Sequence, residues 1–132
     1  MPVPIPVTTL YLAVFAVFGS VLSFLPAQIR GRTGVSIGDA GNPQLLLAMR
    51  RHGNFLEYVP YFMTMMLALE LNGASATSLH ALGGAMVAAR VAHALGLKSD
   101  SIESIFRLVG AGGTLLLTLV ATAMLVLQWM RG

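Results

Sequence analysis

Between Ile5 and Ile29 the sequence holds no charged side chain, and a run of that length leaves the chain few ways to fold. About 20 consecutive apolar residues cross the hydrocarbon of a bilayer as a helix, and a helix satisfies its own backbone amides where no water can. The leader Met1-Pro2-Val3-Pro4-Ile5-Pro6 lacks the basic residues that open a secretory signal, so the run is expected to be a retained first transmembrane helix. The remainder is of the same kind. The chain of 132 residues is 56% hydrophobic and 10% charged, where a soluble domain carries about 25% charged residues. These proportions imply an integral membrane protein forming one domain over residues 1–132.

Four spans are expected, making an all-α bundle. The first covers about residues 5–29, followed by a polar loop that carries Arg30 and Arg32. Asn42-Pro43 reads as an N-cap with proline at the first helical position, opening a second span at about 43–71 that Asn72-Gly73 stops. Pro60 is expected to kink it, having no amide to donate. The third span covers about 75–97, with Gly96 as its C-cap. Asp100-Ser101-Ile102-Glu103 resembles a capping box before a fourth span at about 102–130. Arg30, Arg32, Arg50, Arg51, Lys98 and Arg107 cluster around the first and third loops, and only Arg131 lies at the other side. Both termini are therefore expected on the non-cytosolic face. The excess of basic residues, a net charge of +3, is explained by this topology, without nucleic acid as a partner.

Small residues show where helices approach. Gly84, Ala88, Ala92 and Gly96 form one stripe, Ala81, Ala85 and Ala89 another, and Gly110, Thr114, Thr118 and Thr122 a third. Close packing in lipid uses such stripes, and the threonines could add interhelical hydrogen bonds.

Polar groups at membrane depth are costly and normally face a bundle interior or a wet cavity. Arg50, Asn54 and Glu57, spaced four and then three apart, lie within roughly a 60° arc of one helix. By depth, Arg90 and His93 near the cytosolic end of the third span and Arg107 at the start of the fourth fall in the same slab. Either the arginines pair internally, for instance Glu57 with Arg90 or Arg50, or the slab takes an anionic guest, since it sets three arginines against one carboxylate. Arg51 points about 100° away from Arg50 and is expected to snorkel towards headgroups. His52, His80 and His93 sit at different depths and make no metal cluster. The absence of cysteine excludes disulfides, thiolate metal sites and a cysteine nucleophile. Glu70, near the opposite end of the second span, is expected to be solvated or capping.

The pattern Arg50-x-x-x-Asn54-x-x-Glu57-Tyr58-x-Pro60, opening the second of four spans, resembles the MAPEG family, the membrane-associated proteins of eicosanoid and glutathione metabolism. Gly38-Asp39-Ala40-Gly41-Asn42-Pro43 and Arg90-x-x-His93 resemble its bacterial branch. The resemblance implies a homotrimer in a bacterial inner membrane, with glutathione as co-substrate bound between subunits near the cytosolic face. It implies that Arg50, Asn54, Glu57 and Tyr58 hold glutathione together with Arg90 and His93, that Arg107 serves catalysis by promoting the thiolate, and that Arg30, in the loop where other members carry a further arginine, is a second catalytic residue. The thiolate would attack a lipophilic electrophile or reduce a lipid hydroperoxide from the bilayer. Where that family's glutathione users carry tyrosines on the third span, this chain has His93 and Leu97. A non-catalytic lipid- or ligand-binding membrane trimer is the alternative. A proton-coupled multidrug exporter is disfavoured, because such a pathway needs a titratable carboxylate and the first span has none.

Overall fold

Each long helix begins and ends where the sequence supplies a device for it. The structure, a computed structural model, describes residues 4–98 and 104–131. It consists of α1 (Pro6–Thr33), α2 (Pro43–Leu71), α3 (Ala76–Gly96) and α4 (Ile105–Arg131). Asn42 caps α2 as expected, its Oδ1 accepting from Gln44 N at 3.0 Å and Leu45 N at 3.1 Å. Ser75 caps α3 through the amide of Ser78 at 3.2 Å. The Asp100–Glu103 segment expected to cap α4 lies outside the described residues.

Several expectations are corrected. α1 continues past Ile29 to Thr33, so Arg30 and Arg32 are helical rather than loop residues. The stop is Gly34 at φ +71°, a left-handed position that glycine occupies without strain, and its amide closes on Arg30 O at 2.9 Å. Cations in that last turn complement the partial negative charge of the helix end. Pro60 lies inside α2, with helix on both sides of it. Gly96 is the last residue of α3, and Leu97 is the cap. Gly96 is small for a different reason: a β-carbon there would run into the Phe106 and Arg107 backbone of α4.

α1 and α4 are each long and apolar enough to cross a membrane. α2 and α3 hold the polar residues, which lowers their mean hydropathy without exposing all of that polarity, since Arg90 is 2% and His93 5% exposed. α1 packs on α2 and α3 on α4, with α2 touching both α3 and α4. Phe62, Met66, Leu69, Leu79 and Met86 fill the centre. Phe55 extends this core between Phe15 and Phe18, with ring centroids 6.1 and 5.3 Å away. Gly19 leaves the room that Phe55 needs on α1.

Glu70 settles how α1 begins. Ile5 supplies no side-chain cap and Pro6 no amide, so the first free donors are Val7 and Thr8. The Glu70 carboxylate accepts both, at 2.9 and 2.7 Å. α2 thereby caps α1 from its far end.

Candidate functional site

At the opposite end of the bundle, the start of α2, the end of α3 and the start of α4 enclose a cleft of about 330 Å³. That is the lower end of the roughly 300–1,000 Å³ typical of small-molecule sites. Its polar lining is Arg50 and Asn54 from α2, His93 and Lys98 from the end of α3, and Arg107 from α4, with Leu46 and Leu97 among the apolar wall. No carboxylate lines it among the described residues. Three side chains that carry full positive charge thus share one small space.

α2 brings Arg50 and Asn54 to the same wall because they are four residues apart on one face. α3 and α4 meet closely enough to close the other wall. Gly110 makes this possible, since a β-carbon on it would strike the His93 backbone. The small-residue stripe on α4 therefore does act at a crossing, but its threonines mostly turn inward on their own helix. Thr118 Oγ1 donates to Thr114 O and Thr122 Oγ1 to Thr118 O, each at 2.8 Å. Two of them also join helices: Thr114 accepts from Arg90 of α3, and Thr122 Oγ1 reaches Met65 Sδ of α2 at 3.6 Å.

Behind the cleft lies Arg90. Its guanidinium donates to Asn54 Oδ1 at 2.5 Å and to Thr114 Oγ1 at 3.1 Å, and it approaches His93 Nδ1 at 3.3 Å. Nε has no partner. Arg90 also stands over the Tyr58 ring, 5.9 Å from its centroid, within cation–π range. The internal pairing of Arg90 with Glu57 anticipated as one option is not how this charge is held. Its hydrogen-bond partners among the described residues are neutral, and Glu57 is exposed.

The other sequence-predicted residues are distributed differently. Tyr58 is 42% exposed and lines a neighbouring groove of about 300 Å³ with Arg90, Thr114 and Leu115. Glu57 lines neither hollow. Arg30 lies apart from the cleft, its guanidinium donating to Val35 O at 3.1 Å and to Met49 Sδ at 3.4 Å. Arg51 does not snorkel: it donates to the cap carbonyl of Leu97 at 2.8 Å and ties α2 to the end of α3. His80 meets Tyr11, whose hydroxyl donates to His80 O at 3.0 Å. Among the described residues no group of side chains is arranged to hold a metal ion.

Sequence reasoning gave Lys98 and Thr114 no place in the site. Thr114 had a usable signal, since it follows Arg107 by seven residues and so shares its face two turns along. A larger hollow, about 850 Å³, lies at the other end of the bundle, but Arg131 is its one ionisable lining residue among those described.

Comparison with known proteins bears on this geometry. The model of the MAPEG family matches residues 8–127. The chain is similar to the inner membrane protein YecN of Escherichia coli K12, with 36% identity over 90 residues, covering 68% of this chain and 69% of that protein. YecN of E. coli O6:H1 matches to the same extent. No solved structure matches the chain.

Proposed function

The chain belongs to the MAPEG family, and from that premise we propose that it is a membrane-embedded, glutathione-dependent transferase or peroxidase. The observation that carries the reading is the cleft with Arg50, Lys98 and Arg107 in its lining and, among the described residues, no carboxylate beside them. Glutathione brings two carboxylates and one ammonium. Arginine grips a carboxylate through paired, charge-assisted hydrogen bonds. A thiol of pKa near 8.5 is mostly protonated at neutral pH, and a neighbouring cation shifts it towards thiolate. In this reading Arg107, in the lining of the cleft, supplies that charge. The thiolate then displaces a leaving group from a lipophilic electrophile, or takes the terminal oxygen of a hydroperoxide, breaking the O–O bond to give a sulfenic acid and an alkoxide that gains a proton from water; a second glutathione converts the sulfenic acid to the disulfide and water.

Glu57 and Tyr58 enter this reading through a second copy of the chain. Arg50, Glu57 and Tyr58 are exposed on α2 of the single subunit, and facing lipid with them would be costly. A homotrimer would cover them and complete the site between subunits, with Glu57 about 10 Å along the helix from Arg50 to receive the ammonium. Arg30 serves the site in this scheme only from a neighbouring subunit. The cluster of basic residues at the cleft end supports an orientation with that end, both loops included, at the cytosolic face. A bacterial inner membrane fits the name of the E. coli relative.

A second reading, a non-catalytic lipid-binding trimer, is favoured by one feature. The seam of α1 and α2 carries an apolar groove of about 360 Å³ lined by Leu12, Phe15, Phe55, Val59 and Met63. Incubating the purified protein with glutathione and a chloronitroaromatic electrophile separates the two. The enzyme reading expects thioether formation well above the uncatalysed rate, largely lost in Arg107→Ala. Glutathione binding without turnover moves the protein to the second reading.

A further inference from the structure

Arg90 does not line the cleft, yet it governs two residues that do. An arginine guanidinium offers donors only and never accepts. Whatever it bonds must therefore turn an acceptor towards it. The Arg90 NH2 group lies 2.5 Å from Asn54 Oδ1 and 3.3 Å from His93 Nδ1. For Asn54 this fixes which way the amide faces: oxygen to Arg90, NH2 to the other side. For His93 it fixes the tautomer: Nδ1 keeps its lone pair and Nε2 carries the proton. The guanidinium is itself held in one orientation by Thr114. That hydroxyl gives its own proton to Gly110 O at 2.7 Å, so a lone pair must face the Arg90 NH1 group at 3.1 Å.

We infer that Arg90 is a positioning residue that sets the polarity of the cleft, turning Asn54 and His93 so that both present N–H donors and the site accepts only an anionic, acceptor-only group. Arg50, Lys98 and Arg107 are donors by nature. With Asn54 Nδ2–H and His93 Nε2–H added, every polar side chain lining the cleft among the described residues offers a proton. An ammonium placed there meets donors pointing at donors, and a thiol offers them only a weakly accepting sulfur. A thiolate or a carboxylate meets partners on all sides. On the glutathione reading, which this inference rests on, the site selects the ionised ligand through hydrogen-bond direction as well as charge. Arg90 therefore contributes without touching the ligand.

The test is 15N NMR of histidine-labelled protein in detergent micelles, with the His93 signals identified by their loss in His93→Gln. The wild type is expected to show His93 in the Nε2–H form. Arg90→Lys, still a donor, keeps that form, and Arg90→Met lets the tautomers mix. Glutathione affinity should fall about tenfold in Arg90→Met, the loss expected from misdirecting one well-placed hydrogen bond, and recover in Arg90→Lys. An equal fall for S-methylglutathione assigns the bound acceptor to a carboxylate, and a fall confined to glutathione assigns it to the thiolate. His93 in the Nδ1–H form in the wild type overturns the inference, even if glutathione binds. The spectrum needs no ligand, and beyond the His93→Gln assignment it is read on the wild type alone. Wild type with the Nε2–H form and no affinity for glutathione supports the donor-only cleft and removes the glutathione reading alone.

Discussion

Arg90 is buried with no carboxylate among the described residues in hydrogen-bond contact with it, and neutral acceptors carry what an ion pair would otherwise do. Removing one of them should be felt. Thr114→Val leaves a buried N–H without its acceptor and is expected to destabilise the protein by about 1–3 kcal/mol. Thr114→Ser, which keeps the hydroxyl, should melt close to wild type in the same detergent. Arg50 faces a different demand, because it is exposed and lines the cleft. Arg50→Ala is expected to weaken glutathione by about tenfold or more, as losing a charge-assisted bond to a carboxylate does, while leaving the melting curve nearly unchanged. A titration compared with a melt separates the two roles. A parallel loss of stability in Arg50→Ala would show that this arginine holds the fold rather than the guest.

The helices meet through glycine at one end and through a borrowed cap at the other. Gly110 sits against the His93 backbone, so Gly110→Val is expected to push α3 and α4 apart at about 1–3 kcal/mol and to disturb the cleft with them. At the far end, Glu70→Ala should free the amides of Val7 and Thr8. Hydrogen exchange at those positions should speed up, with a stability loss of about 0.5–2 kcal/mol, the range for losing an N-cap. Much of this was legible in the sequence. Asn42-Pro43 marked a helix start by its chemistry, and the small-residue stripes marked helices that approach closely. Which glycine carries a contact was not legible. Gly83 lies under the Tyr11 ring, yet it falls outside every stripe, because a lone glycine reads the same whether a ring covers it or not. The extension of α1 to Thr33 was hidden for a related reason. Arg30 and Arg32 look like loop residues by polarity, and only the left-handed Gly34 reveals the true end.

For the whole molecule, the candidate site was legible as a depth and not as a direction. Counting turns along antiparallel helices brought Arg50, Asn54, His93 and Arg107 to one level, and the structure assembles those four around one cleft. The same counting gave Glu57 that level without telling that it lines no part of the cleft, and Tyr58 entered through the family resemblance alone. The absence of cysteine makes sidedness straightforward to measure. A single Ser36→Cys in the loop after α1 should resist a membrane-impermeant maleimide applied outside spheroplasts, whereas Asn72→Cys in the loop after α2 should react. The reverse pattern would invert the proposed orientation. The most direct test of the central claim is calorimetric titration of glutathione into the detergent-solubilised wild-type protein. The account expects saturable binding that weakens as salt is added, because a cluster of cations draws the ligand in. A folded protein that takes up no glutathione at low salt would contradict it.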